Sequence, residues 1–152
     1  MGRLRRLADH ARTRSVTVCM ETHPPFGANA DAAAATIGDV GSEGLRYNFD
    51  TANIYYYNDG ADTVSELAKI VALVASVHLK DTDGGYHSPN FPELGRGVVD
   101  FPGVFELLGR HGFRGPYTME VEGANVQGVD AAGRLAFLRR CMDYLRSIGA
   151  AE

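Results

Sequence analysis

The chain has 152 residues, a length that favours one domain with a single core. Its 45% hydrophobic and 22% charged residues exclude disorder as the main state, and no apolar stretch reaches the roughly 18 residues that a membrane span needs. The net charge of −4 has the wrong sign for a surface that neutralises a phosphate backbone, so neither a nucleic acid nor a membrane is an expected partner.

The predicted elements alternate between helices and strands along the chain. Residues 1–14 predict a leading amphipathic helix, with Leu4, Leu7, Ala8 and Ala11 at helical spacing and arginines on the other face. Four strand and helix units follow it. In chain order they are a strand at 15–21, a helix at 31–40, a strand at 45–50, a helix at 61–73, a strand at 75–81, a helix capped by Asp100 and ending near 112, a strand at 117–122, and a last helix that contains residues 135–148.

This alternation predicts an α/β fold with a parallel sheet and right-handed crossovers. A (β/α) barrel is favoured over an open sheet because every strand ends in a side chain able to do chemistry, and no glycine-rich phosphate fingerprint follows the first strand. A full barrel takes about 250 residues, so we expect residues 1–152 to form one half-barrel domain of four βα units. Its open strand edges predict a homo-oligomer, a partner chain or a further segment that completes the barrel.

Four of the strand-end side chains are potential metal ligands: Glu21, Asp50, His78 and Glu120. They follow one another at intervals of roughly one βα repeat, which predicts that they share one rim of the barrel. Three carboxylates and an imidazole suit Mn²⁺, Mg²⁺, Co²⁺ or Zn²⁺ with open positions for the oxygens of a sugar, and flanking carboxylates could then move a proton next to its carbonyl. The alternative is that each carboxylate only caps a helix or forms a salt bridge.

Five segments in the same order resemble the xylose isomerase-like TIM barrel family, the sugar phosphate isomerase/epimerase family, in its strands five to eight. The segments are 18–24 (VCMETHP), 48–53 (NFDTAN), 77–81 (VHLKD), 95–101 (GRGVVDF) and 115–120 (GPYTME). The resemblance implies that Glu21, Asp50, His78 and Glu120 bind the divalent metal ion, and that Glu21 and Glu120 are also the catalytic pair that transfers the proton. It implies a small sugar, sugar phosphate or keto-polyol as substrate.

Further candidates for substrate binding are His23, Asn53, Lys80 and Glu122. Asn53 stands where many members of the family carry a histidine, and no arginine follows His78 as it does in many epimerases. The run of residues 78–81 is similar to the His-x-Lys-Asp pattern of dehydratase-like members, in which the lysine can contact a substrate oxygen. Lys80 could equally neutralise Asp81 or Glu120.

These observations predict a metal-dependent isomerase or epimerase. An inosose dehydratase-like lyase and a non-catalytic truncated half barrel remain the alternatives, whereas Asn53 and the negative charge disfavour repair of abasic DNA in the manner of endonuclease IV. Only two cysteines are present, without CxxC spacing, which predicts a reducing, cytoplasmic location. The run Tyr55-Tyr56-Tyr57 is expected to form a wall of the site, a stacking platform or an oligomer contact. The loop at 84–97 is expected to act as a lid over the site.

Overall fold

The computed structural model describes residues 1–152, which form six α-helices and one four-stranded sheet. The elements are α1 (Gly2–Arg12), β1 (Val18–Glu21), α2 (Ala30–Val40), β2 (Leu45–Asp50), α3 (Asn53–Tyr57), α4 (Thr63–Ile70), β3 (Val74–Leu79), α5 (Phe101–Arg110), β4 (Tyr117–Met119) and α6 (Ala131–Ser147). All strands pair in parallel in the order β1-β2-β3-β4. The predicted α/β class and parallel sheet are confirmed.

Polar side chains cap the first turn of four helices. The caps are Asn29 on α2, Asp62 on α4, Asp100 on α5 and Asp130 on α6, and each accepts a hydrogen bond from a backbone N–H in the first turn. Such a cap stabilises a helix by about 1 kcal/mol because the first N–H groups have no partner inside the helix. None of the helices combines the length and the hydropathy that a transmembrane span requires.

The two faces of the sheet differ in polarity. Along β2, Leu45, Tyr47 and Phe49 are fully buried and join the core that the helices cover. Since alternate residues of a strand point to opposite faces, Asn48 and Asp50 lie on the other face. There Ser76 on β3 donates a hydrogen bond of 2.6 Å to Asn48. One face therefore supplies the core, and the opposite face carries polar groups toward the carboxyl ends of the strands.

Two differences from the predicted elements lie next to the ends of the strands. The strand β4 ends at Met119 instead of residue 122, because its neighbour β3 ends at Leu79; the last ladder bond runs from Glu120 N to Leu79 O. The short helix α3 was not predicted. It forms because Asp50 Oδ1 accepts hydrogen bonds from the N–H groups of Ala52 and Asn53, at 2.9 and 2.8 Å, which caps the chain directly after β2.

Candidate metal centre

The carboxyl ends of the four strands bring Glu21, Asp50, His78 and Glu120 together. Asp50 and His78 are register partners on β2 and β3, and Glu120 directly follows β4. One potential ligand atom from each of the four residues lies within 4.8 Å of the other three. The atom His78 Nδ1 is 3.1 Å from Glu120 Oε2, 3.3 Å from Glu21 Oε1 and 3.7 Å from Asp50 Oδ2.

Asp50 forms the buried base of this group. Its side chain is 0% exposed, and its Oδ1 is used by the start of α3. Its Oδ2 has no hydrogen-bond partner, although Lys80 Nζ lies 3.2 Å away. Burial raises the pKa of Asp50 to about 6, against the effect of the neighbouring His78. A buried carboxylate oxygen without a hydrogen bond is costly, and a cation that binds this oxygen would offset the cost.

The acidic surroundings set the protonation of His78 and Glu120. The carboxylates of Asp50 and Glu120 beside the imidazole raise the pKa of His78 to about 10. His78, with help from Asp50 and Lys80, holds the pKa of Glu120 well below its usual range in spite of partial burial. Glu120 is therefore ionised at neutral pH, and the potential at His78 Nδ1 favours a positive charge.

Lys80 lies beneath the same group and is 1% exposed. Its Nζ donates hydrogen bonds to Glu120 Oε2 at 3.0 Å and Glu122 Oε1 at 2.6 Å, and it lies 4.8 Å from the centre of the Phe91 ring. Burial lowers the pKa of Lys80, but the charge of Asp50 and the bonds to the two glutamates outweigh it, so the pKa is raised. The ammonium therefore neutralises Glu120, one of the two interpretations of this lysine. Its contact with substrate remains a prediction.

The four ligand candidates fit a divalent metal ion. Ligand atoms 2.0–2.2 Å from a shared ion lie at most about 4.4 Å apart; the three distances from His78 Nδ1 satisfy this limit, and the whole set of four atoms lies within 4.8 Å. The donor set of three carboxylates and one imidazole is typical of Mn²⁺, Mg²⁺, Co²⁺ and Zn²⁺ sites. The Oδ2 atom of Asp50, which has no hydrogen-bond partner, supports the same conclusion.

A cavity of about 390 Å³ opens above these residues. Glu21 and Glu120 form part of its wall, together with three of the four predicted substrate-binding residues, His23, Asn53 and Glu122. Glu122 is the most exposed of the three glutamates, at 49% of its side chain. Asn53 is buried and donates a hydrogen bond from Nδ2 to Thr22 O at 3.1 Å. The cavity thus joins the metal candidates to the predicted substrate contacts.

Aromatic rings also line the cavity. Tyr56 and Tyr57 of α3 line it, and so does Phe91 from the loop between β3 and α5. The His23 ring packs edge to face on Tyr57, with centroids 4.9 Å apart. The tyrosine run was one of the predicted candidates for a wall, whereas Phe91 was missed. Phe91 lies in an irregular loop between Asn90 and Pro92, where no periodicity marks it.

Asp81 fixes the loop that carries Phe91. Its fully buried carboxylate accepts four backbone hydrogen bonds of 2.9 to 3.1 Å, and the donors are the N–H groups of Thr82, Gly95, Gly97 and Val99. A Cβ at Gly97 would overlap Thr82 O and Asp81 Oδ1, so the loop approaches the carboxylate only with glycine there.

Asp81→Asn should destabilise the fold by roughly 3 kcal/mol, because an amide nitrogen would face backbone N–H groups that lose their acceptor. Urea unfolding measures this change, and hydrogen exchange at Gly95 and Gly97 should accelerate. Asp143→Asn, at a 72% exposed side chain of α6, is the matched control and should have a much smaller effect. Equal stabilities for the two variants would contradict the role of Asp81.

Comparison with known proteins agrees with this arrangement. A family model described as xylose isomerase-like TIM barrel matches residues 1–141. A solved structure of a xylose isomerase-like TIM barrel protein from Mycobacterium smegmatis, in complex with magnesium, superposes with a TM-score of 0.70 at 27% identity, over 95% of this chain and 50% of that one. The four parallel strands therefore correspond to half of a TIM barrel.

Two curated relatives are enzymes. An inosose dehydratase from Histophilus somni (strain 129Pt) is 24% identical over 93% of this chain and 52% of its own length. A ketose 3-epimerase from Arthrobacter globiformis is 27% identical over 95% of this chain and 48% of its own. The chain spans about half the length of the curated relatives it matches.

Proposed function

Because the chain belongs to the xylose isomerase-like TIM barrel family, we propose that it is the metal-carrying part of an isomerase or epimerase for small sugars, sugar phosphates or keto-polyols. The observation that carries the proposal is the convergence of Glu21, Asp50, His78 and Glu120 within 4.8 Å, with Glu21 and Glu120 also lining an open cavity. The ketose 3-epimerase and the inosose dehydratase among the relatives support chemistry next to a carbonyl group.

In this proposal the same four residues hold one divalent metal ion, Mn²⁺, Mg²⁺, Co²⁺ or Zn²⁺. Such an ion, when bound, polarises a substrate carbonyl and acidifies the C–H group beside it. Asp50 contributes the unpartnered Oδ2, while its Oδ1 stays with α3 and fixes the orientation of the carboxylate. His78 must present Nδ1 without a proton, so metal ion and proton compete for this nitrogen.

Glu21 and Glu120 are the proposed catalytic pair. Both line the cavity, with side chains 41% and 28% exposed, so each can reach a bound substrate. His78 and Lys80 hold Glu120 in its ionised form, the form that can accept a proton. One glutamate removes the proton from the carbon next to the carbonyl, and the other returns a proton. The result is inversion at that carbon in an epimerase, or a shift of the carbonyl group in an isomerase.

The other predicted contacts have two kinds of role. His23, Asn53 and Glu122 line the cavity and bind substrate hydroxyl groups in this proposal. Lys80 acts on substrate through Glu120 and Glu122, which it holds by hydrogen bonds, because only 1% of the lysine is exposed. Lys80 is therefore assigned the role of positioning these two glutamates, and a direct contact of its ammonium with a substrate oxygen stays a prediction.

Proton NMR in deuterated water tests the proposal. The chain with Mg²⁺ and a ketose such as D-fructose should exchange the C–H proton next to the carbonyl for deuterium, because Glu21 and Glu120 equilibrate with solvent. Chelation of the metal should abolish the exchange. Loss of water from an inosose without a new epimer would favour the lyase alternative. Absence of exchange and of metal binding would overturn the proposal in favour of a non-catalytic half barrel.

The proposed half-barrel domain, residues 1–152, requires a second unit. Both β1 and β4 have only one neighbouring strand, and exposed apolar side chains lie beside both edges, Val16 before β1 and Tyr117 in β4, at 55% and 41% exposure. We propose that a second four-stranded half barrel pairs with both edges at once. Light scattering should show twice the chain mass for a second copy; a monomer with fully protected β1 and β4 edge amides would contradict this pairing.

A further inference from the structure

The helices that cover the sheet lie in the same order as the strands. The helix α1 contacts β1 and α2, α4 contacts α2 and α5, and α6 meets α5 where the rings of Tyr144 and Phe101 lie 5.8 Å apart. An apolar cleft lined by Met142 of α6 and Met119 of β4 places α6 beside the last strand. Since β1 and β4 are the edge strands, α1 and α6 are the outermost helices, one at each open edge of the sheet.

These two outermost helices carry the positive charge of the helical layer. Each contains four arginines and one aspartate, which gives a net charge of +3 with His10 neutral. The three helices between them, α2, α4 and α5, together have a net charge of −2. The whole chain has a net charge of −4. Positive charge is therefore concentrated at the two edges that the proposed second half barrel would cover.

Half of these eight arginines have no acidic partner within the chain. Four of them form ion pairs of 2.7 to 3.9 Å: Arg5, Arg12, Arg140 and Arg146. The other four are exposed and form no ion pair: Arg3 and Arg6 of α1, and Arg134 and Arg139 of α6. On each helix an exposed leucine lies four residues from one of these, Leu7 from Arg3 and Leu135 from Arg139. Residues four apart share a helix face, so each helix presents an apolar side chain next to an unpaired positive charge.

A second, unmodified copy of the chain fits these edges poorly. In a barrel closed by two copies, a twofold axis relates them, so β4 of one copy pairs with β1 of the other at both joints. Each joint then brings α6, with a net charge of +3, beside α1, which also has a net charge of +3. Charges of the same sign that face each other across an interface repel, and salt screens this repulsion only partly within about 10 Å.

We propose that the half barrel completing this sheet is an acidic unit whose sequence differs from residues 1–152, and that its carboxylates bind Arg3, Arg6, Arg134 and Arg139 at the two joints. This inference rests on the pairing with a second half barrel in the proposed function. Opposite charges at both joints steer the acidic unit to the edges of the sheet and select it over a second copy of the chain. The unmodified chain alone is accordingly a monomer with unpaired edge strands.

Charge reversal on one helix tests the inference with the chain itself as the partner. Arg3→Glu combined with Arg6→Glu changes the net charge of α1 from +3 to −1, so two copies of this variant place an acidic α1 against a basic α6 at both joints. We expect this α1 variant to dimerise with a dissociation constant at least about tenfold lower than that of the unmodified chain. Analytical ultracentrifugation at about 0.05 M salt measures the mass, and about 0.5 M salt should weaken the dimer.

Three further variants control for folding and for overall charge. Arg110→Glu combined with Arg114→Glu makes the same change in net charge on α5 and in the loop after it, and it should stay monomeric. Arg134→Glu combined with Arg139→Glu reverses α6 instead and should dimerise, which keeps the test decisive if the α1 variant unfolds. The α1 and α6 substitutions together should restore the monomer, because both helices then have a net charge of −1.

The outcomes separate this inference from the proposed pairing. A dimer of the unmodified chain as stable as that of the α1 variant would overturn the inference while the pairing of half barrels stands. Monomers of both the α1 and the α6 variant, with rapidly exchanging amides at the edges of β1 and β4, would also overturn it, because charge would not decide the pairing. Monomers in which these edge amides are fully protected would contradict the inference and the pairing together.

Discussion

Glu120→Gln should slow metal-dependent deuterium exchange next to a ketose carbonyl by about 10³-fold, within the range of 10² to 10⁴ typical of a lost acid–base group. The substitution removes a charged oxygen that lies 3.1 Å from His78 Nδ1 and 3.0 Å from Lys80 Nζ. It therefore removes a candidate metal ligand and a proton acceptor at once. The rate is measured by NMR from the loss of the substrate C–H signal in deuterated water.

The control for this variant is Glu106→Gln, which makes the same chemical change on α5 outside the cavity. It should retain the exchange rate of the unmodified chain. A Glu120→Gln variant that keeps its rate within about threefold would show that Glu120 takes no part in proton transfer. Metal titration of the same variant separates the two roles, since loss of a ligand weakens metal binding whereas loss of the proton acceptor alone does not.

Lys80→Met should destabilise the fold by about 3–5 kcal/mol, the usual cost of removing one partner from a buried ion pair. Methionine has a similar length, so little volume is lost. The cost arises because Asp50 is 0% exposed, its Oδ2 has no hydrogen bond, and Lys80 Nζ at 3.2 Å is its nearest lysine. Urea unfolding followed by circular dichroism measures the free energy of unfolding.

The second lysine of the chain provides the control. Lys69 on α4 is about half exposed and pairs with Glu66 on the same helix, so Lys69→Met should change the free energy of unfolding far less. Comparable losses in the two variants would mean that the buried network around Lys80 contributes no special stability. Addition of Mg²⁺ should recover part of the loss in Lys80→Met, because a divalent ion would restore positive charge beside Asp50.

The positions of Glu21, Asp50, His78 and Glu120 were predictable from sequence for a physical reason. Alternating strands and helices predict a parallel sheet, and the carboxyl ends of parallel strands meet at one edge. Residues at these ends are therefore close in space although they are far apart in the chain. The structure brings them together, which is the arrangement that the spacing predicts.

Other features depend on contacts that local patterns do not contain. The length of β4 follows from the end of β3, and the start of α3 follows from the direction of the Asp50 carboxylate. Phe91 is placed by a loop whose shape comes from four hydrogen bonds to Asp81, a residue more than ten positions from three of its relevant donors. Because irregular loops carry no periodicity, the sequence indicated a lid region but not which residues this loop contacts.

The most direct measurement is anomalous X-ray diffraction from crystals of the chain soaked in Mn²⁺. We predict a single strong manganese peak about 2.1 Å from an oxygen of Glu21, Asp50 and Glu120 and from His78 Nδ1. Refinement should show Asp50 Oδ2, the oxygen without a hydrogen bond, among the ligands. A crystal saturated with Mn²⁺ that shows no peak among these four residues would contradict the metal centre and the function built on it.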